Sequence, residues 1–186
     1  MNQIKFLFYV KGCFPSLKAL GIYYADQCDK NKCTSIKIFN KKDSLSFPLF
    51  WFKKKERIRR KSIVLTPYAK LLLPEDRKIV QDEGITVLDC SWKKNDPILN
   101  KKFKNGRKLP KLLAGNPVNY GKWEFLTSME AVSGSLFIMG FEQEANEILN
   151  ALPWGRTFWD LNKELLISYQ SASNEQSYKE IWDKFF

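Results

Sequence analysis

Between Ser62 and Asp89 the chain spells strand, helix, strand, and this stretch restricts the fold more than any other. Ser62-Ile63-Val64-Leu65-Thr66 and Ile85-Thr86-Val87-Leu88-Asp89 are short, nearly continuous apolar runs. That pattern suits strands buried on both faces. Between them Pro74 stands early, Glu75 and Asp76 fill a first turn and Gly84 closes the segment, which are helix start and stop signals. A strand–helix–strand unit of about 30 residues commits the chain to a parallel sheet. Gly21–Asp26, β-branched and aromatic, is a further strand. Parallel sheets bind ligands beyond the carboxyl ends of their strands. Here those ends are Leu65-Thr66-Pro67-Tyr68 and Leu88-Asp89-Cys90-Ser91-Trp92. Neither strand runs into a G-x-G-x-x-G or a Walker A sequence, which disfavours a dinucleotide fold or a nucleoside triphosphatase.

After Arg107 the texture changes. Leu109 to Gly121 reads as an apolar strand entering a turn-rich loop, and helices follow. Thr127-x-x-Glu130 is a capping box ahead of Ala131, Val132, Leu136 and Met139, and Gly140 stops that helix. Glu142–Leu152 forms a second helix, and Phe158, Leu161, Leu165 and Tyr169 mark a third. Ser173-x-x-Gln176 precedes a fourth, with Tyr178, Ile181, Trp182 and Phe185 as its apolar stripe. The organisation expected is an α/β lobe over residues 1–108 and a helical lobe over 109–186.

Charge divides along the same line. Residues 1–111 hold 26 Lys and Arg against 10 Asp and Glu, whereas residues 112–186 hold 5 against 10. Lys53–Lys61 reads KKKERIRRK and Lys101–Lys111 reads KKFKNGRKLPK. A field of one sign on one lobe attracts and orients a polyanion, so nucleic acid is the expected partner. The absence of histidine removes Ser-His and Cys-His nucleophiles and the usual catalytic zinc sites. Cys13, Cys28, Cys33 and Cys90 form no C-x-x-C pair and read as reduced thiols, so no metal is expected. No apolar run approaches a membrane span of about 20 residues. Phe6–Val10 is too short for a signal-peptide core. The expectation is a cytoplasmic protein with no membrane association.

Three segments carry a resemblance: Asp26-x-x-Asp29-x-x-Lys32-Cys33-Thr34, Leu88-Asp89-Cys90-Ser91-Trp92, and Leu109-Pro110-x-Leu112-Leu113-Ala114-Gly115-Asn116-Pro117-Val118-Asn119-Tyr120-Gly121. With Gly140-Phe141 and Trp154-Gly155 they resemble the small-subunit ribosomal RNA aminocarboxypropyltransferases, over roughly residues 22 to 170. The resemblance implies a SPOUT-like parallel sheet threaded as a deep trefoil knot, followed by a helical C-terminal lobe, and a monomer. It also implies transfer of the 3-amino-3-carboxypropyl group of S-adenosylmethionine to N3 of a methylated pseudouridine during ribosome maturation, releasing methylthioadenosine. Carried over by position, the cofactor pocket is Thr34, Leu65, Leu88, Asp89, Trp92, Leu109 at the start of the knot strand, Glu124, Phe125 and Ser128. The family has proline and an aromatic residue after Y-G-K where this chain has Trp123 and Glu124. It commonly has glycine where Ser35 follows Thr34.

Two roles follow from the chemistry. S-adenosylmethionine has two electrophilic carbons beside its sulfonium, so a site that buries the methyl and presents the γ-carbon transfers the larger group by positioning. Trp92 is the expected wall against the methyl. Asp89 is the expected base for the pyrimidine N3 proton or the partner of the cofactor ammonium, and its alternative is a strand-end carboxylate bonding local backbone. Cys90 reads as packing. Lys32, Arg57, Arg59, Arg60, Lys101, Lys102, Lys104 and Arg107 are the expected RNA contacts. The same fold also suits a SPOUT-type RNA methyltransferase, and the charge suits a non-catalytic ribosome-assembly protein.

Overall fold

The structure is a computed structural model that describes residues 16–27, 29, 33–90, 97–99, 101–123 and 125–186. Its described strands are β1 (Leu20–Tyr24), β2 (Leu49–Phe52), β3 (Ile63–Leu65), β4 (Ile85–Asp89) and β5 (Gly106–Arg107), in the spatial order β2-β1-β4-β3-β5 with every pairing parallel. The strand–helix–strand unit forms as expected. Pro74–Asp76 is a 3-10 turn leading into α2 (Arg77–Glu83), Gly84 ends it at φ +85°, and β3 and β4 pair side by side. A side chain at Gly84 would also collide with the Ala19 carbonyl, so glycine is required for the backbone and for the space.

Side chains alternate across the sheet and divide it into two unlike faces. Leu20, Ile22, Ile63, Leu65, Ile85 and Val87 point into the main core. That face is covered by α1 (Thr34–Phe39), through Ile38, by α2, through Val80, and by the central helix α3 (Ser128–Ile138). On the other face Val64 and Leu88 form a small second cluster with Ile58, Ile98 and Leu99. Among the described residues no α-helix supplies that cover. It comes from the β2–β3 and β4–β5 connections, which carry the two basic runs, pinned by Ile58 and by Ile98 and Leu99.

Four helices complete the chain: α3, α4 (Glu142–Asn150), α5 (Gly155–Tyr169) and α6 (Glu175–Phe185). The Thr127–Glu130 capping box forms, with both reciprocal bonds present. Gly140 follows α3 at φ +77°, beside the Arg77 guanidinium that a side chain there would strike. α3 is buried on every side, not on one stripe, because α1, β4, α4 and α5 surround it. The cap of α6 lies one residue beyond the expected one: Asn174 accepts from the Ser177 amide, so the pair is Asn174 and Ser177, not Ser173 and Gln176. No described helix is long and apolar enough to cross a membrane.

One expectation is corrected by the chain path. Leu109 does not begin a strand. β5 ends at Arg107, Lys108 makes an isolated parallel bridge with Leu71, and residues 109–112 run as an irregular segment before Leu113 makes an isolated antiparallel bridge with Trp123. Pro110 has no amide hydrogen to place in a ladder. The segment's polar backbone is taken up by helix side chains instead. Asn162 on α5 accepts from the Leu113 amide at 2.7 Å and donates to the Leu113 carbonyl at 2.8 Å, and the Tyr169 hydroxyl donates to the Lys111 carbonyl at 3.0 Å.

Candidate active site at the strand ends

At the carboxyl ends of β3 and β4 lies a cavity of about 400 Å³. Leu65 and Thr66 reach it from β3 and Val87 and Leu88 from β4, and the irregular segment Lys108–Leu112 forms one wall. Phe125 to Ser128, leading into α3, forms the opposite wall. Five expected site residues therefore converge here: Leu65, Leu88, Leu109, Phe125 and Ser128.

Asp89, the last residue of β4, is not itself a lining residue but stands next to Leu88 and Ser128, which are. Ser128 Oγ donates to its Oδ1 at 2.6 Å and Cys33 Sγ donates to its Oδ2 at 3.3 Å. A carboxylate has about four lone-pair sites. Two described donors therefore orient this group and leave it further acceptor capacity. Thr34, like Asp89, does not line the cavity itself. It is the first residue of α1 and is buried. Among the described residues of that motif, Cys33 bonds Asp89. Trp92, Glu124 and Lys32 lie outside the described residues.

The N-P-V-N-Y-G segment lines no part of the cavity. It braces the wall that does. Glu130, fully buried at the start of α3, accepts from the Gly115 amide at 2.9 Å, from Asn116 Nδ2 at 3.0 Å and from the Thr127 amide at 2.7 Å. Asn116 also donates to the Phe125 carbonyl at 3.1 Å and caps the following turn by accepting from the Asn119 amide. Gly115 is needed where the segment crosses α5, since a Cβ there would lie 2.5 Å from the Phe158 amide nitrogen. The loop thus ties Phe125, Thr127 and the capping box into one unit, and Ser128 is aimed at Asp89 from that unit.

One expected RNA contact is corrected. Arg107 is 4% exposed and forms a two-pronged pair with Asp76, Nε to Oδ2 at 2.8 Å and Nη2 to Oδ1 at 2.6 Å. Its guanidinium joins β5 to the start of α2 and is not available to a phosphate. Of the others, Arg57, Arg60, Lys101, Lys102 and Lys104 are exposed and Arg59 is partly so. Although about 40 residues separate the two basic runs in sequence, Asn105 Nδ2 donates to the Lys61 carbonyl at 2.6 Å, and Ile58 shares a cluster with Ile98 and Leu99. The two runs therefore make one surface on the sheet face opposite α3. Leu88 and Leu99 belong both to that cluster and to the cavity wall, so the basic surface borders the cavity.

The cavity suits the adenosine part of S-adenosylmethionine; Arg107, Lys108 and Lys111 are among its lining residues and no described carboxylate is. Its volume falls in the range of about 300–1,000 Å³ that holds small ligands, and its walls are mostly apolar with a few polar groups. Thr66 Oγ1 is buried at this wall with no hydrogen-bond partner among the described residues. An orphaned buried hydroxyl is costly unless something meets it. The nearest carboxylate is Asp89, which adjoins the lining residue Leu88 and is bonded by the lining residue Ser128. Among the described residues no cluster of His, Cys, Asp and Glu has the makings of a metal site.

Sequence reasoning named Thr66 only as part of the Leu65–Tyr68 strand end, and missed Cys33 as a partner of Asp89 and the Lys108–Leu112 wall as a unit. Thr66 was signalled by its place directly after an apolar strand run, where parallel sheets put their ligands.

Residues 63–186 match the family model described as the C-terminal part of ribosome biogenesis proteins. The 16S rRNA aminocarboxypropyltransferase of Methanocaldococcus jannaschii is 42% identical over 174 residues, covering 91% of this chain and 97% of that protein. That of Methanothermobacter thermautotrophicus is 40% identical, covering 88% and 96%. Among solved structures, the SAM-dependent rRNA:acp-transferase Tsr3 from Vulcanisaeta distributa superposes with a TM-score of 0.78 at 32% identity, over 88% of this chain and 89% of that one. Identity at this level over nearly the whole length of both partners means that the chain belongs to the 16S rRNA aminocarboxypropyltransferase family.

Proposed function

We infer that this chain transfers the 3-amino-3-carboxypropyl group of S-adenosylmethionine to small-subunit ribosomal RNA during ribosome maturation, releasing methylthioadenosine. The observation that carries the reading is the near full-length identity to 16S rRNA aminocarboxypropyltransferases, in a chain where Leu65, Leu88, Leu109, Phe125 and Ser128 line one cavity beside one basic surface. The acceptor atom we propose is N3 of a methylated pseudouridine. S-adenosylmethionine supplies an electrophilic γ-carbon next to its sulfonium. The protein's work is to place that carbon and to manage one proton.

Leu65, Leu88, Leu109 and Phe125 would hold the adenine and ribose between apolar surfaces, with Thr66 Oγ1 as a polar anchor. Asp89, oriented by Ser128 and Cys33, would either hold the cofactor ammonium or take the N3 proton. Trp92 remains our proposed shield of the methyl group, and Thr34 and Glu124 our proposed outer contacts. Arg57, Arg59, Arg60, Lys101, Lys102 and Lys104, with Lys32, would neutralise phosphates, so RNA affinity should fall steeply with salt. To the same reading belong a SPOUT-like knotted threading of the segment after β5, a monomeric state, residence in the cytoplasm, and a division at residue 108 between RNA-binding and pocket-completing parts.

The test is incubation with S-adenosylmethionine labelled in its carboxyl carbon and small-subunit RNA that lacks the modification. Label in the RNA with methylthioadenosine released is the expected result. S-adenosylhomocysteine with no label in RNA would make the chain a methyltransferase. No turnover and no cofactor binding by calorimetry would leave an RNA-binding assembly protein.

A further inference from the structure

The sheet face opposite α3 carries a feature that the transfer reaction does not use. On the edge strand β2, Leu49 and Trp51 turn toward the main core, where Trp51 meets Tyr24 and Phe39. Phe50 and Phe52 therefore turn to the other face. Their rings lie side by side, 6.4 Å between centroids and parallel within 16°. Phe50 is 44% exposed, a large apolar surface for a strand in which water is the alternative neighbour. Phe52 reaches across β1 toward Gly21, where any side chain would lie 2.9 Å from its Cε2 atom. The missing side chain at Gly21 lets this ring lie over β1.

The chain that follows these rings is Lys53-Lys54-Lys55-Glu56-Arg57, all five exposed. Because every strand is parallel, Phe52 and these lysines leave the sheet at the same edge as the cavity. β1 alone separates β2 from β4. At the usual spacing between strands, β2 lies roughly 10 Å from β4.

We propose that Phe50 and Phe52 form a stacking platform for unpaired bases of the RNA substrate, with Lys53, Lys54, Lys55 and Arg57 holding the phosphates beside them. This rests on the RNA-modifying reading above and deepens it, naming the form of RNA that the face accepts. Aromatic faces stack on bases of any identity, and an adjoining row of cations tracks the backbone. A duplex keeps its bases stacked on one another and gains only from the cations. The pairing of ring and charge on one surface therefore selects single strands.

The experiment measures binding of the full-length protein to a labelled single-stranded RNA and to a duplex of equal length, by fluorescence anisotropy at fixed salt. Phe50→Ala should weaken single-strand binding at least about fivefold and change duplex binding less than twofold. Phe50→Trp should restore the single-strand affinity, a rescue that a merely structural role would not show at a surface position. A single-stranded RNA carrying 5-iodouridine should photocrosslink to the Phe50–Phe52 segment. Unchanged single-strand affinity in Phe50→Ala, or equal loss for both RNA forms, overturns the platform. Loss of carboxyl-label transfer by the wild type would instead overturn the enzymatic reading, and wild-type protein that transfers label yet shows no single-strand binding overturns the platform alone.

Discussion

Glu130 offers the sharpest test of how the site is held. It is fully buried and receives three donors, the Gly115 amide, Asn116 Nδ2 and the Thr127 amide, at 2.9, 3.0 and 2.7 Å. Glu130→Ala removes both acceptor oxygens and strands all three. Each orphaned buried donor costs about 1–3 kcal/mol, with water and relaxation recovering part of the sum. We expect a loss of roughly 3–5 kcal/mol, a large share of the ~5–15 kcal/mol that holds a typical domain together. Glu130→Gln keeps the shape and one oxygen. Its amide nitrogen, turned to the side with the single donor, faces the Gly115 amide, while the oxygen keeps Asn116 and Thr127 as neutral bonds. The expected cost is about 1.5–3 kcal/mol. Urea unfolding with unchanged m would report both values. Calorimetry should then show weaker S-adenosylmethionine binding in the Gln variant, because Phe125 to Ser128 hang from the same carboxylate. A Glu130→Ala protein within 1 kcal/mol of wild type, or a Gln variant less stable than the Ala one, would refute the brace.

Three further outcomes are expected. Arg107→Ala leaves Asp76 buried without its partner and should cost about 3–5 kcal/mol in urea unfolding. It should leave the salt slope of RNA binding unchanged, whereas Lys102→Ala should reduce that slope by about 0.7–0.9. Ser128→Ala removes the 2.6 Å donor to Asp89 and should lower transfer rate or cofactor affinity about tenfold, equivalent to ~1.4 kcal/mol, with a melting temperature close to wild type. Burial holds the Tyr178 and Tyr169 phenols protonated well above their ordinary value of 10.0, with Tyr169 and Asp76 adding to the effect on Tyr178. Unfolded tyrosines ionise from about pH 10 while the folded ones do not. Their contribution is thus complete below that pH and is lost as pH rises toward the folded values. Denaturation midpoints measured from pH 9 to 11 should fall less steeply in Tyr178→Phe.

What the sequence revealed and what it hid divide by the range of the interactions. The strand–helix–strand unit, the Thr127 capping box and the stop at Gly140 depend on neighbours within a few residues, and all three formed where expected. β2 was not foreseen. Leu49-Phe50-Trp51-Phe52 is too short and too uniformly aromatic to show which side faces inward, and its register comes from pairing with β1. Arg107 was misread because its partner, Asp76, lies 31 positions away. In a run of basic residues nothing local separates a buried guanidinium from a solvated one. The strand expected at Leu109 failed for a similar reason, since Asn162 and Tyr169, some 50 positions downstream, take the hydrogen bonds that a neighbouring strand would have taken.

The same distinction explains what the most specific segment of the sequence does. Asn116-Pro117-Val118-Asn119-Tyr120-Gly121 identified the family, yet its side chains are spent on structure. Asn116 bridges Glu130 and the Phe125 carbonyl, and Val118 and Tyr120 face outward. The cavity walls themselves are mostly leucines and other apolar residues, with two threonines and three basic side chains among them, residue types that many proteins place at strand ends. A site built largely from apolar surface and backbone needs walls that do not yield, because small displacements of a reacting carbon cost large factors in rate. The bracing loop, Asn162 and Tyr169 hold two walls of one cavity from outside it. Specificity for the larger group of the cofactor then depends on how firmly those walls stand. A variant that loosens the brace, such as Glu130→Gln, should therefore lose transfer rate by more than its loss of cofactor affinity accounts for. A strictly proportional loss of the two would show that the brace serves binding alone.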